Sequence, residues 1–156
     1  MDVVTKFGTL WLDADEVGLT RVSFSEIPTS PQANNQILAQ AKQELIDYTM
    51  GNRDQFDVKL SITKGTEFQQ EVWKALQQIP YGQTWSYQDV ATFIDRPKAV
   101  RAIGQANKAN PLPIIIPCHR VIGKNGQLTG YMGAGEEGIA KKQALLALES
   151  NNSTLR

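Results

Sequence analysis

Cysteine and histidine are almost missing from this chain. Its 156 residues hold one of each, and the two are neighbours, in Pro117-Cys118-His119-Arg120-Val121. A single thiol excludes an internal disulfide, and one thiol with one imidazole nearly excludes a closed zinc site, which needs four ligands. No metal and no cofactor are therefore expected. No run of about 18 apolar residues occurs, so no membrane-spanning helix is expected. The start, Met1-Asp-Val-Val-Thr-Lys-Phe7, lacks the basic-then-apolar pattern of an export signal. One unpaired thiol suits a reducing compartment, and a cytoplasmic protein is expected.

Acids are also missing from one stretch. Residues 96–135 carry Arg96, Lys98, Arg101, Lys108, Arg120 and Lys124 and no Asp or Glu, although the whole chain is neutral. The thiol lies inside this basic block, which has the character of an anion-facing surface. A lone cysteine is either a small core hydrophobe or a nucleophile. The adjacent imidazole and the nearby bases favour the second reading, because the thiolate is the reactive form and positive charge and a proton acceptor promote it.

The remaining pattern divides the chain into two parts, 1–62 and 63–156. In the first, Val3–Phe7, Leu10–Leu12 and Leu19–Phe24 are strand-like, with a turn at Asp13–Glu16. Ser30-Pro31 has the form of an N-cap and first helical residue, and Leu38, Ala41, Leu45 and Tyr48 step along one helical face to Gly51. Phe56–Ile62 alternates and could return to the sheet. In the second part, Thr66-x-x-Gln69 is a capping box opening a helix that ends near Pro80-Tyr81-Gly82. Ser86-x-x-Asp89 caps a second helix with Val90, Ala91 and Phe93 inward. Arg96-Pro97 is expected to start a third, running to about Lys108. Two short helices joined by a tight turn have the form of a helix-turn-helix. Ile122–Leu128 reads as a type I′ hairpin that would serve as a wing, and a last helix spans about Gly138–Ser150. Gly133-Ala-Gly135-Glu-Glu-Gly138 has the spacing of a dinucleotide fingerprint. It lacks a surrounding βαβ unit and would turn two glutamates on the phosphates, so it reads as a flexible loop.

From about Phe68 to Glu149 the chain resembles the O6-alkylguanine-DNA alkyltransferases of the bacterial single-function type. The matching segments are Pro80-Tyr-Gly82, Ser86-Tyr87, Arg96-Pro-Lys-Ala-Val-Arg101-Ala-Ile-Gly104, Asn110-Pro, Ile116-Pro-Cys-His-Arg-Val-Ile-Gly123, Gly130-Tyr131 and Lys142-x-x-Leu-Leu-x-Leu-Glu149. The resemblance implies an α/β (α+β) fold: a small N-terminal antiparallel sheet with one helix, ribonuclease H-like, and a C-terminal winged helix-turn-helix. It implies repair of O6-alkylguanine, and less so O4-alkylthymine, by single-turnover transfer of the alkyl group to Cys118. His119 would be the base, acting through a bridging water and held by Glu149. Tyr131 would donate a hydrogen bond to the guanine, and Asn110 would brace the active-site turn.

The same resemblance implies double-stranded DNA as partner, bound through the minor groove with the damaged nucleotide flipped out. Arg101 would fill the gap in the stack and Tyr87 would crowd the adjacent phosphate. Small residues such as Ala102 and Gly104 would let the helix approach a narrow groove. Ser86, Arg96, Lys98, Lys108, Arg120 and Lys124 complete the expected DNA face. Pro113, Val121 and Met132 are expected around the base. The stretch Met132–Gly138 is longer than the family's Gly-rich loop and leaves substrate size open. A monomer with no obligate protein partner is expected. The rival reading is a non-enzymatic lesion-binding protein on the same scaffold. Such relatives carry tryptophan in place of the cysteine, so Cys118 argues against it.

Overall fold

The structure, a computed structural model, describes residues 1–126 and 135–152. The chain divides after Lys64 into two compact units. In the first, strands β1 (Asp2–Thr5), β2 (Gly8–Ala14) and β3 (Leu19–Ser23) form an antiparallel sheet in the order β1-β2-β3. Their register, Val3 opposite Leu10 and Leu12 opposite Val22, puts these four side chains in the core. Helix α1 (Asn35–Thr49) covers the sheet with Leu38, Ala41, Leu45 and Tyr48 buried.

Two expectations change here. Helix α1 does not open at Ser30-Pro31. Its N-cap is Asn34, whose side-chain oxygen accepts from the amides of Gln36 and Ile37. Ser30 is committed elsewhere: its amide and hydroxyl both donate to the Asp13 carboxylate, at 2.8 and 2.6 Å. The 56–62 segment does not form a full strand. It meets β3 in one parallel bridge, Leu19 with Leu60, flanked by Leu19 N–H to Lys59 O and Ser61 N–H to Leu19 O, each 2.8 Å. Gly18 permits that approach, since a Cβ there would lie 2.7 Å from the Lys59 carbonyl oxygen.

In the second unit both capping boxes form. Thr66 caps α2 (Glu67–Leu76), and Ser86 caps α3 (Tyr87–Phe93). Helix α4 (Val100–Lys108), with Ala99 as its N-cap, starts later than Pro97 suggested. Arg96–Ala99 instead forms a turn closed by Ala99 N–H to Arg96 O, and Gln88 donates to the Pro97 carbonyl. Helix α4 packs on α2 and α3 through Ile103 and Ala106. Phe93, expected inward, is 56% exposed and leans on Trp85 at 5.1 Å between ring centroids.

Strands β4 (Trp85–Ser86) and β5 (Val121–Ile122) pair in parallel. In place of the expected type I′ turn, Lys124–Gly126 forms a 3-10 turn closed by Gly126 N–H on the Gly123 carbonyl at 3.1 Å, with Gly126 itself at φ 79°. The hairpin's second arm, Gln127-Leu128, lies outside the described residues. Helix α5 (Gly135–Asn151) begins earlier than expected, so Gly135–Gly138 is helix rather than loop, and Leu145 is buried.

Candidate active site

The segment between α4 and Cys118 is built like a bracket. Asn110 donates from Nδ2 to the Ile116 carbonyl (2.8 Å) and accepts at Oδ1 from the Leu112 amide (2.9 Å). Ile116 N–H returns to Leu112 O at 2.8 Å. Inside this bracket Ile114, buried and β-branched, sits at φ 76°, a left-handed conformation that costs roughly 1–3 kcal/mol for such a residue. Pro117, at φ −79° and ψ 65°, makes an inverse γ-turn with Cys118 N–H on Ile116 O at 2.7 Å. Cys118–Arg120 then forms a 3-10 turn. Cys118 is 1% exposed and His119 fully buried.

Helix α5 presents Lys142, Leu145 and Glu149 to this turn. The spacing of seven puts Lys142 and Glu149 two turns apart on one face, about 10 Å along the axis. Glu149, also buried, collects most of the polar groups near the thiol. Its Oε2 meets His119 Nε2 at 2.8 Å. Arg120 embraces the same carboxylate through Nε (2.8 Å) and Nη2 (2.9 Å), and its Nη1 donates to the Ile79 carbonyl at 2.7 Å. The Gly82 amide adds a 3.3 Å bond to Glu149 Oε1, and the Arg120 guanidinium lies over the Tyr81 ring, 5.6 Å from its centroid.

Burial alone would push the Glu149 carboxyl up. The hydrogen bonds and charges of His119 and Arg120 overcome it and hold the carboxyl far below the usual range. Burial pushes His119 down, aided by Arg120 and Lys142 and opposed by Glu149. Near neutral pH the pair is thus a carboxylate and a neutral imidazole. The carboxylate selects the tautomer with hydrogen on Nε2, which leaves the basic lone pair on Nδ1.

Lys142 is the group that pattern reading of the charges overlooked. It is fully buried, donates to the Val121 carbonyl, and burial pulls its pKa down to about 8, with the Cys118 thiolate acting in the opposite direction. The signal for it was its place on the same helical face as Glu149, seven residues earlier. A lysine whose folded pKa lies below its unfolded value of 10.5 destabilises the fold at neutral pH, and that penalty fades as pH rises from about 8 to 10.5. Lys142→Met is therefore expected to match or exceed wild-type stability at pH 7.5. Wild type should gain on the variant between pH 8 and 10, as read by urea unfolding. A constant difference across that range would show that Lys142 does not titrate as described.

The expected DNA-face residues separate into two groups. Arg101, Ala102 and Lys108 are exposed along α4, Gly104 is half-buried there beside Tyr87, and Lys98 and Lys124 are exposed in turns. Arg120 departs from that expectation: its guanidinium is buried and paired with the Glu149 carboxylate instead of standing exposed with the other bases. Arg96 is exposed but engages Glu71 at 3.2 Å and stacks on Phe68 at 5.8 Å. The Ser86 hydroxyl accepts from Asp89 N–H as a helix cap. Pro113 and Val121 are buried, and Tyr131 and Met132 lie outside the described residues.

Comparison with known proteins agrees with both units. Residues 3–62 match the ribonuclease-like domain of 6-O-methylguanine DNA methyltransferase, and residues 67–151 match its DNA-binding domain. The constitutive methylated-DNA–protein-cysteine methyltransferase of Bacillus subtilis is 47% identical over 142 residues, 85% of this chain and 86% of that protein. The enzyme of the same name from Methanosarcina acetivorans is 46% identical over 150 residues, covering 92% and 93%. The crystal structure of Mycobacterium tuberculosis OGT in complex with DNA superposes with a TM-score of 0.85 at 42% identity, covering 97% of this chain and 92% of that one. The ribonuclease-like sheet and helix, the helix-turn-helix and these relatives together show that the chain belongs to the 6-O-methylguanine DNA methyltransferase family.

Proposed function

We propose that the protein repairs DNA by moving an alkyl group from O6 of guanine to Cys118, once per molecule. The observation that carries this reading is the buried 2.8 Å His119–Glu149 pair beside the chain's one thiol. His119, neutral and oriented by Glu149, takes the thiol proton through a bridging water. The thiolate sulfur then attacks the alkyl carbon in line, forming the C–S bond as the C–O bond breaks. The electron pair leaves on guanine O6, and the ring regains neutrality by accepting a proton, with Tyr131 as donor of the stabilising hydrogen bond. A thioether is a poor leaving group, so the thiol is not regenerated.

A base stacked in a duplex cannot reach a buried thiol, so the nucleotide has to rotate out. The exposed face of α4 supplies what that requires: Arg101 mid-helix, with small residues around it for a minor-groove approach and Lys108 toward the end for phosphate. The relative solved with DNA supports nucleic acid as the partner. We further propose that the protein acts as a monomer in the cytoplasm without a cofactor.

Incubation with duplex carrying labelled O6-methylguanine should place label on the protein and saturate at one equivalent; turnover beyond one would refute the stoichiometric reading. Arg101→Ala is expected to slow duplex repair far more than reaction with free O6-benzylguanine, which needs no flipping. Lys108→Ala should chiefly weaken binding and lower its salt slope by about one unit at most. An unchanged ratio of duplex to free-base rate in Arg101→Ala would reduce that arginine to a surface charge.

A further inference from the structure

Asn107 stands in the last turn of α4, 4% exposed, with no part in the acid–base relay. Its Nδ2 donates to the carbonyl oxygen of Cys118 at 3.3 Å, eleven residues on. Its Oδ1 is buried without a hydrogen-bond partner. Turning the amide over would set Oδ1 against the Cys118 carbonyl, acceptor on acceptor, so the observed orientation is the one the site requires. An orphaned buried acceptor is costly, and natural proteins keep such groups mainly where function needs them. Folding does not need the bond to Cys118, because that carbonyl also accepts from the Val121 amide. Removing Asn107 would leave no new orphan.

What the bond does is mechanical. The same turn of α4 is fastened to α2 by Trp73 Nε1–H on the Ala106 carbonyl at 2.9 Å. One residue later Asn107 fastens the backbone of Cys118 to that anchored turn. The helix whose outer face carries Arg101 and Lys108 thus holds the peptide of the thiol-bearing residue through its inner face.

We propose that Asn107 is a positioning residue for alkyl transfer: it ties the Cys118 backbone to the DNA-facing helix, fixing the line along which sulfur meets the alkyl carbon. This rests on Cys118 being the acceptor. In-line displacement by an oriented sulfur is sensitive to displacements of about 1 Å, whereas a small, freely tumbling electrophile finds its own approach.

The test uses the full chain and its near-isosteric variant Asn107→Leu, with O6-benzylguanine and iodoacetamide as probes. The expected result has three parts. Benzyl transfer slows about tenfold or more, iodoacetamide alkylation keeps its rate and pH midpoint, and Tm equals or exceeds wild type because the orphaned acceptor is gone. A second variant, Asn107→Asp, keeps the shape but opposes a carboxylate to the Cys118 carbonyl. It should show a lower ratio of benzyl transfer to iodoacetamide rate than wild type at pH 8. Undiminished benzyl transfer in the leucine variant would overturn the proposal. So would a parallel fall of both rates with Tm, or a leucine variant too unstable to fold, since either would make Asn107 a packing residue. If wild type itself takes no benzyl group from benzylguanine, the acceptor reading fails instead, and the two failures are distinguishable.

Discussion

Cys118→Ser is expected to abolish alkyl transfer completely while leaving the affinity for alkylated duplex nearly intact. Serine occupies the same buried place, and the packing around a residue 1% exposed changes little. The chemistry does not survive the change. A neutral imidazole can help a thiol with a reference pKa of about 8.5 to ionise, but an alkanol lies far beyond its reach. No second thiol exists to take over. The exposed bases Lys98, Arg101, Lys108 and Lys124 are untouched, so fluorescence anisotropy with a lesion-bearing duplex should show near wild-type binding. Transfer to the serine variant at even a slow, saturating rate would mean that another residue accepts the group.

Glu149→Gln is expected to have the largest effect on stability, a loss of about 3–5 kcal/mol at pH 7, because it removes one partner of a buried pair and leaves the Arg120 cation uncompensated. The pH dependence follows from the direction of the shift. Glu149 has a folded pKa below its unfolded value of 4.5, so its contribution is complete above about pH 4.5 and disappears as pH falls through the lower folded value. Wild type and variant should therefore differ by a constant amount from pH 5 to 7 and converge in stronger acid. Urea unfolding across that range measures it. The variant also deprives His119 of the carboxylate that sets its tautomer. The pH midpoint of iodoacetamide reaction at Cys118 should accordingly rise toward about 8.5. A difference of less than about 1 kcal/mol, the scale of an exposed pair, would contradict the buried network.

Local signals were legible where side chain and backbone meet within a turn. Both capping boxes read directly from Thr66–Gln69 and Ser86–Asp89, since each closes over three residues. The start of α1 was misread because Ser30 is claimed by Asp13, seventeen residues away, which no local pattern discloses. The start of α4 was misplaced for a similar reason: Gln88, from α3, holds the Pro97 carbonyl in a turn. Charge in a sequence does not say which way a side chain faces, and Arg120 was assigned to the DNA surface when its partner on α5 draws it inside. Ile114 carries no signal at all, because left-handed backbone is ordinarily foreshadowed by glycine or asparagine. The thiol and its imidazole were legible as neighbours, but Glu149 joined them only through resemblance. It lies 30 residues beyond His119, too far for any periodicity to connect them.

The most direct test of the central claim is intact-protein and peptide mass spectrometry after reaction with an excess of duplex carrying one O6-methylguanine per molecule. The account predicts one added methyl per chain, located on the peptide containing Cys118, and no further gain on longer incubation or with fresh substrate. Methyl on any other residue, more than one per chain, or restored guanine in the DNA with no mass gained by the protein would contradict it.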